Sequence, residues 1–351
     1  MHLPPSRGAV SAALASCLLH GDEPDALNDL VEAALVLVDD LIADDDIQIS
    51  LFMLYELHYG GFDDVDDALE WNPDLLRARA RIEARLEEQL RSAVSVTEHP
   101  LPTVDAVAGA LFRMTAPTAG PGFSRHVAKK ADEQQLRELL LHRSIYQLKE
   151  ADPHTWAIPR LRGVPKAALV EVQCDEYGNG RPELMHSALF AQTMRGLGLN
   201  DDYGHYVDQL PAVTLASLNT MSMFGLHRRL RGAIAGHLAA IEMTSSIPNR
   251  LYGDGFRRLG HDSATTLYFD EHVEADAVHE QIAGRDLAGA LAAASPELLD
   301  DILFGAASCL LLDELTAQHL LSAWRNGESS LRQAERSRGT TRTRAPGHYH
   351  G

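Results

Sequence analysis

Residues 269–280, FDEHVEADAVHE, contain two histidines and an aspartate at helical spacing. His272, Asp276 and His279 lie at positions i, i+4 and i+7, so on a helix of 3.6 residues per turn their side chains project from one face. Two imidazoles and a carboxylate on one face suit a borderline metal such as Fe(II), Mn(II) or Zn(II). A polar face turned to solvent has the same spacing, so the pattern needs support from elsewhere in the chain.

A second candidate pair lies upstream, in residues 171–190, EVQCDEYGNGRPELMHSALF. Glu176 and His186 are separated by nearly three helical turns and would share a face of an unbroken helix. The glycines and proline of residues 178–182 predict a break in that helix. The alternative to a ligand pair is a capping glutamate and a partly buried histidine on either side of a turn.

A third stretch, residues 231–250, RGAIAGHLAAIEMTSSIPNR, has little polar surface and predicts a buried helix. Gly232 and Gly236 would allow a neighbouring helix to approach closely. Glu242 lies in this apolar segment, and a buried carboxylate is costly unless it is paired or bound to a metal. His237 falls on a different face, so we interpret it as structural.

Two choices remain open among the acidic candidates. The partner of Glu242 could instead be an arginine, either Arg228 or Arg250. Glu150, which follows a predicted helix and precedes Asp152, fits an exposed helix end as well as it fits a ligand.

Helical periodicity extends over most of the chain and predicts an all-α fold. Apolar residues recur at three- and four-residue steps in the predicted helices 26–42, 73–95, 131–149 and 295–324. Residues 168–172 alone have the character of a strand, and they equally fit a buried helix.

Two changes in composition divide the sequence. Residues 115–123, TAPTAGPGF, are rich in proline and glycine and separate an N-terminal helical extension, 1–114, from a second domain, 115–327. Residues 328–351 are polar and arginine-rich without apolar periodicity, which predicts a disordered basic tail.

The bulk composition narrows the class of partner and the compartment. The 351 residues are 45% hydrophobic and carry a formal net charge of −19, which disfavours nucleic-acid and anionic-membrane partners. Three widely spaced cysteines and the lack of an apolar run of about 20 residues indicate a soluble, cytoplasmic protein.

The motifs resemble those of a known family when they are read in order. Glu176, His186, Glu242 and the H-x3-D-x2-H set of residues 272–279 resemble the ligands of heme-oxygenase-like diiron oxidases and oxygenases. The phrases at 174–191, 237–250 and 268–280 are similar to the actinobacterial branch known as iron-containing redox enzymes. The resemblance extends over residues 136–324.

That resemblance implies a heme-oxygenase-like bundle of about seven core helices with an N-terminal extension, and no heme. It implies that two iron ions are held by a set of glutamates, histidines and an aspartate, which also form the catalytic centre: Glu176, His186, Glu242, His272, Asp276 and His279. Glu150 stands where some members carry an additional glutamate ligand. The implied activity is that of a non-heme diiron oxidase or oxygenase, with O2 as co-substrate.

The implied substrate is a small organic molecule: an amine, an amino acid or a fatty acid, changed by N-oxygenation or by C–H abstraction with C–C cleavage. An electron donor and a second copy of the chain, forming a homodimer, are compatible partners. Several arginines could anchor a substrate carboxylate: Arg181, Arg228, Arg229, Arg250, Arg257 and Arg258.

Two alternatives from other classes remain. Cys174 lies two residues from Glu176 and would be the nucleophile of a metal-free hydrolase resembling thiaminases. The second alternative is a non-catalytic helical protein that binds a metal or a partner.

Overall fold

The computed structural model describes residues 1–21, 24–117 and 122–333, and at Pro24 and residues 274–277 it describes the backbone alone. In chain order the α-helices are α1 (Ala9–His20), α2 (Pro24–Leu37), α3 (Asp45–Glu56), α4 (Pro73–Ala93), α5 (Val104–Met114), α6 (Phe123–Lys129), α7 (Glu133–Gln147), α8 (Asp152–Thr155), α9 (Gly163–Glu176), α10 (His186–Gly196), α11 (Ala212–Leu226), α12 (Arg231–Arg258), α13 (Ser263–Gln281), α14 (Ala290–Ala294) and α15 (Leu299–Arg325). Short 3₁₀ turns connect several of them, and a π-helical segment, Ile282–Gly289, joins α13 to α14.

The all-α prediction is confirmed, since the described residues contain helices and turns and no strand. Residues 168–172, the one strand-like stretch, lie within α9. Seven helices of ten residues or more lie between residues 122 and 327, as the resemblance implied. Gly327 has a φ of 73° just after α15, which is the left-handed conformation that commonly ends a helix.

Helix α12 is the centre of the fold, and it packs along α15, α13 and α6. The prediction that Gly232 and Gly236 allow close approach is confirmed. A Cβ at Gly236 would overlap the carbonyl oxygen of Ile302 on α15, and one at Gly305 would overlap the carbonyl of Ala233 on α12. The two backbones therefore touch, which holds α12 at a fixed distance from α15.

The N-terminal helices share a hydrophobic core with the rest of the chain. Buried residues from Val10 to Leu111 and from Ile145 to Leu312 form one cluster. Helix α3 packs against α11, where the buried Asn219 amide donates to the Gln48 carbonyl (2.9 Å) and to its side-chain oxygen (2.8 Å).

The described residues at the start of the predicted basic tail make polar contacts with the helices. The carboxylate of Glu138 accepts hydrogen bonds from the Ser329 hydroxyl (2.7 Å) and from the Ser330 backbone N–H (2.9 Å). Arg332 donates to Asp45 at 2.9 Å. These polar contacts hold a segment that has no apolar periodicity. Residues 334–351 lie outside the described residues.

None of the helices in the described ranges has the length and apolar character that crossing a bilayer requires.

The close contact between α12 and α15 predicts the effect of one methyl group. Gly236→Ala should lower the free energy of unfolding by about 1–3 kcal/mol, because the added Cβ forces two packed backbones apart. Gly60→Ala is the control, since no heavy atom lies within 4 Å of its Cβ position. Equal denaturation midpoints for the two variants in urea would contradict this account of the contact.

Candidate metal centre

Six side chains from five regions of the chain meet inside the bundle. Glu150 follows α7, Glu176 ends α9, and His186 begins α10. Glu242 lies in the middle of α12, and α13 contributes both His272 and His279. All six side chains belong to the set predicted from the sequence, and they form two groups.

The first group contains Glu150, Glu176, His186 and His272, which each offer a ligand atom within 4.8 Å of the others. His186 Nδ1 lies 2.8 Å from a Glu176 oxygen, and His272 Nε2 lies 3.6 Å from a Glu150 oxygen. The two imidazole rings are 4.3 Å apart. Two carboxylates and two imidazoles are a donor set typical of iron, manganese or zinc.

The second group contains Glu176, Glu242 and His279, again within 4.8 Å of one another. His279 Nδ1 lies 3.4 Å from a Glu242 oxygen. Both alternative arginine partners of Glu242, Arg228 and Arg250, are absent from its ion pairs in the described residues. Glu176 belongs to both groups, so one carboxylate faces two neighbouring sets of ligand atoms.

The buried polar atoms of these groups lack ordinary partners. Glu176 Oε2, His186 Nδ1 and His279 Nδ1 are buried and make no hydrogen bond of acceptable geometry in the described structure. Leaving such atoms unsatisfied is costly, and metal ligation would satisfy all three. The donor types and these unmatched atoms fit a bound metal.

Hydrogen bonds to residues outside the two groups orient the ligand side chains. His279 Nε2 donates to Asp175 at 3.0 Å, which leaves Nδ1 toward Glu242. His272 Nδ1 donates to the Tyr268 carbonyl at 2.8 Å, which leaves Nε2 toward Glu150. The Tyr268 hydroxyl lies 3.0 Å from both Glu150 oxygens and donates to that carboxylate. Metal-binding histidines in proteins commonly have such outer partners.

The predicted helix break between Glu176 and His186 is confirmed. Helix α9 ends at Glu176, and Gly178 adopts a φ of 64° where a Cβ would overlap the backbone of Leu184 and Met185. The chain turns back at this point, so Glu176 and His186 meet across the turn instead of along one helix face.

Glu150 is fixed by an unusual backbone conformation at the next residue. Ala151 has a φ of 76°, a left-handed conformation that is rare for residues other than glycine. Its carbonyl accepts a hydrogen bond of 2.9 Å from Gln173 on α9. Strained positions of this kind persist where surrounding contacts determine them, and they cluster at functional sites.

The residue before Glu150 connects the centre to the N-terminal helices. The Lys149 ammonium is buried in an ion pair with Glu56, at the end of α3. It also lies 3.9 Å from the centre of the Tyr59 ring, and Tyr203 donates to Glu56 at 2.7 Å. Burial lowers the pKa of Lys149, and the charge of Glu56 opposes that shift.

Burial and the neighbouring charges shift the protonation of the ligands. Burial raises the pKa of Glu176, but the imidazoles of His186, His272 and His279 outweigh it and lower the pKa overall. Burial and the Glu176 charge raise the pKa of Glu242. For His279, burial lowers the pKa, but Glu242 and Asp175 raise it to about 9.

Two predicted residues have other outcomes. Asp276 lies on α13 between the two histidines, but its side chain is outside the described residues, so its ligand role stays a prediction. Cys174 is exposed, donates to the Asn179 side chain at 3.3 Å, and is absent from the described lining of the cavity next to the centre.

A cavity of about 670 Å³ opens beside the centre. Glu150, Glu176, Glu242 and His272 form part of its wall, and Arg143 lies further along it. Its volume is within the range of pockets that hold small molecules. Sequence reasoning did not identify Asp175 or Arg143 as parts of this region, because their partners come from distant segments.

The helical fold and the two Glu/His groups agree with the comparison to known proteins. The chain belongs to the iron-containing redox enzyme family, whose model matches residues 137–314. This confirms the family resemblance of the sequence motifs, and all six grouped side chains lie within the matched residues.

A relative with an assigned activity matches part of the chain. Over 136 residues the chain is 28% identical to the nitrosourea synthase of Streptomyces achromogenes subsp. streptozoticus. The match covers 39% of this chain and 29% of that enzyme, so the chain spans less than a third of its relative's length.

The raised pKa of His279 predicts a pH-dependent metal affinity. With a pKa of about 9, this imidazole is protonated at pH 7.5 and must lose its proton to ligate a metal. Fe(II) affinity at the second group should therefore rise by about tenfold per pH unit from pH 6.5 to 8.5. Anaerobic calorimetry measures this slope.

His279→Gln should reduce that slope by about one proton. His261→Gln is the control, because His261 pairs with Glu133 at the surface, away from both groups. A slope that is unchanged in His279→Gln would contradict the assignment of the proton.

Removing the counter-charge from the Lys149–Glu56 ion pair, next to Glu150, should lower the stability of the protein. Glu56→Gln leaves the Lys149 ammonium buried without its counter-charge, which should cost roughly 3–5 kcal/mol of unfolding free energy. Glu98→Gln, in an exposed pair with Arg113, should change the stability little. Equal losses in the two variants, measured by denaturant unfolding, would contradict a structural role for the buried pair.

Proposed function

We propose that this chain is a non-heme diiron oxidase or oxygenase that uses O2 to oxidise a small organic substrate. The observation that carries the proposal is Glu176, whose carboxylate belongs to both ligand groups. A carboxylate shared between two sets of donors suits two metal ions held side by side, as in other helical di-iron proteins. The family relationship supports iron as the metal.

The charge of the ligands is consistent with two Fe(II) ions. Glu150, Glu176 and Glu242 contribute three negative charges, and Asp276 adds a fourth if it also ligates. Four carboxylates balance the four positive charges of two Fe(II) ions, and His186, His272 and His279 complete the set as neutral donors.

The bound irons would supply the electrons that activate O2, and the chain's own residues would control the surroundings. The 670 Å³ cavity holds the substrate against Glu150 and His272. Burial keeps the pKa of Tyr268 well above its usual value, so its hydroxyl remains protonated and donates to Glu150. Tyr146, also in the cavity wall, is kept protonated by burial in the same way.

The family and the cavity both support a reaction class for this proposal. An iron-containing redox enzyme with a cavity for a small organic molecule beside its ligand groups is suited to N-oxygenation or to C–H abstraction. The partial match to a nitrosourea synthase supports nitrogen-containing substrates.

Metal stoichiometry tests the shared role of Glu176. Wild-type protein loaded anaerobically with Fe(II) should bind two irons per chain, measured by elemental analysis after desalting. Glu176→Ala should lower the iron content more than Glu242→Ala does, because Glu242 belongs to one group only. Glu271→Gln is the matched control, since this exposed carboxylate neighbours His272 without joining either group.

Spectroscopy after exposure to O2 tests the paired arrangement. Mössbauer spectra of the oxidised, ⁵⁷Fe-loaded protein should contain an antiferromagnetically coupled diferric signal. A purely mononuclear signal, or one iron per chain in the wild type, would refute the proposal.

A further inference from the structure

Arg143 places a positive charge in the cavity wall without a matching anion. It lies on α7, seven residues before Glu150, and is part-buried. Among the described residues no carboxylate oxygen comes within 4.0 Å of its guanidinium. Its contacts are with Tyr252, whose ring centre lies 4.8 Å away and whose hydroxyl lies 3.5 Å away.

Enclosed charges in proteins are normally paired, and the same helix end illustrates this rule. Lys149, six residues further on, is buried against Glu56. Arg143 instead has uncharged partners: the Tyr252 ring and hydroxyl, and the Gln147 side-chain oxygen at 3.3 Å. Burial lowers the pKa of Arg143, but Tyr252, Tyr268 and Asp313 outweigh that effect, so the guanidinium remains cationic.

Asp313 supplies an opposite charge in the same cavity. It lies on α15, and its side chain is accessible where the helix lines the cavity. No cation among the described residues lies within 4.0 Å of this carboxylate, and the Cys309 thiol donates a weak hydrogen bond to it at 4.0 Å. The protein around the cavity shields Asp313 from bulk water, and this desolvation raises its pKa to about 6, with Arg143 opposing the shift, so the carboxylate is mainly ionised at neutral pH.

The two charges influence each other electrostatically and yet form no ion pair. A ligand with one anionic and one cationic group would satisfy both. A fatty acid would match Arg143 and leave Asp313 facing an apolar chain, whereas a simple amine would match Asp313 and leave Arg143 without an anion.

We infer that Arg143 and Asp313 form a recognition site for an α-amino acid, with the substrate carboxylate on Arg143 and its ammonium group on Asp313. This inference rests on the proposed function for the reaction itself, and it selects one substrate class among amines, amino acids and fatty acids. The rest of the substrate extends along the cavity toward Glu150 and His272.

Equilibrium binding to the iron-loaded protein under anaerobic conditions tests the inference without turnover. The twenty common L-amino acids are screened by calorimetry, and at least one should bind with millimolar affinity or better. The tightest binder is then compared with its decarboxylated amine and its deaminated acid, and each should bind at least tenfold more weakly. These comparisons use wild-type protein and do not depend on the folding of a variant.

Matched variants test which ligand group binds Arg143 and which binds Asp313. Arg143→Gln should weaken the amino acid at least tenfold and leave the decarboxylated amine unchanged, and Arg143→Lys should recover part of the loss. Asp313→Asn should weaken the amino acid and the amine but not the deaminated acid. Arg325→Gln, at the exposed end of α15, is the control.

Either of two results would overturn the inference: no common amino acid binds, or removal of a charged group from the ligand leaves its affinity unchanged. Iron stoichiometry is measured on the same samples. Failure of the two-iron proposal would therefore appear separately, because ligand recognition at Arg143 does not require two metals.

Discussion

The carboxylates of Glu150, Glu176 and Glu242 lie together inside the protein, and their mutual repulsion is the constraint on which the structure of this region depends. Three imidazoles reduce that repulsion, and the outer partners Asp175 and Tyr268 fix the direction in which the rings face. A cluster of buried anions with unmatched donor atoms is unfavourable without cations. The helices must therefore be rigid enough to keep the ligands together before any metal arrives.

The helices that hold the ligands are kept rigid by contacts between their backbones. Helices α12 and α15 touch through Gly236 and Gly305, so Glu242 sits on a helix whose position is set by backbone contact. Helix α13 continues from His279 directly into the π-helical segment, Ile282–Gly289. Such segments are rare and often occur beside functional sites, since they rotate the residues before and after them relative to a regular helix.

Periodicity and residue type predicted much of this fold, because helices and breaks are local properties. The spacing of Glu176, His186 and Glu242 predicted side chains that the structure brings close together, although the first two meet across a turn. His272 and His279 share a helix face, as expected, yet they enter different groups, which spacing on one helix cannot reveal. Arg143 was not predicted from the sequence, because its proposed role depends on the lack of a carboxylate close to its guanidinium, which only the folded structure reveals. Candidate arginines such as Arg229 and Arg257 instead form ion pairs with Glu87 and Asp270.

The ion pair between Lys149 and Glu56 also connects the N-terminal region to the domain that the family model matches. The family match begins at residue 137, but the counter-charge of a lysine next to a candidate ligand comes from α3, outside the match. Residues 1–114 and the matched domain therefore depend on each other for stability, because without α3 the matched domain would contain a buried ammonium that has no counter-charge.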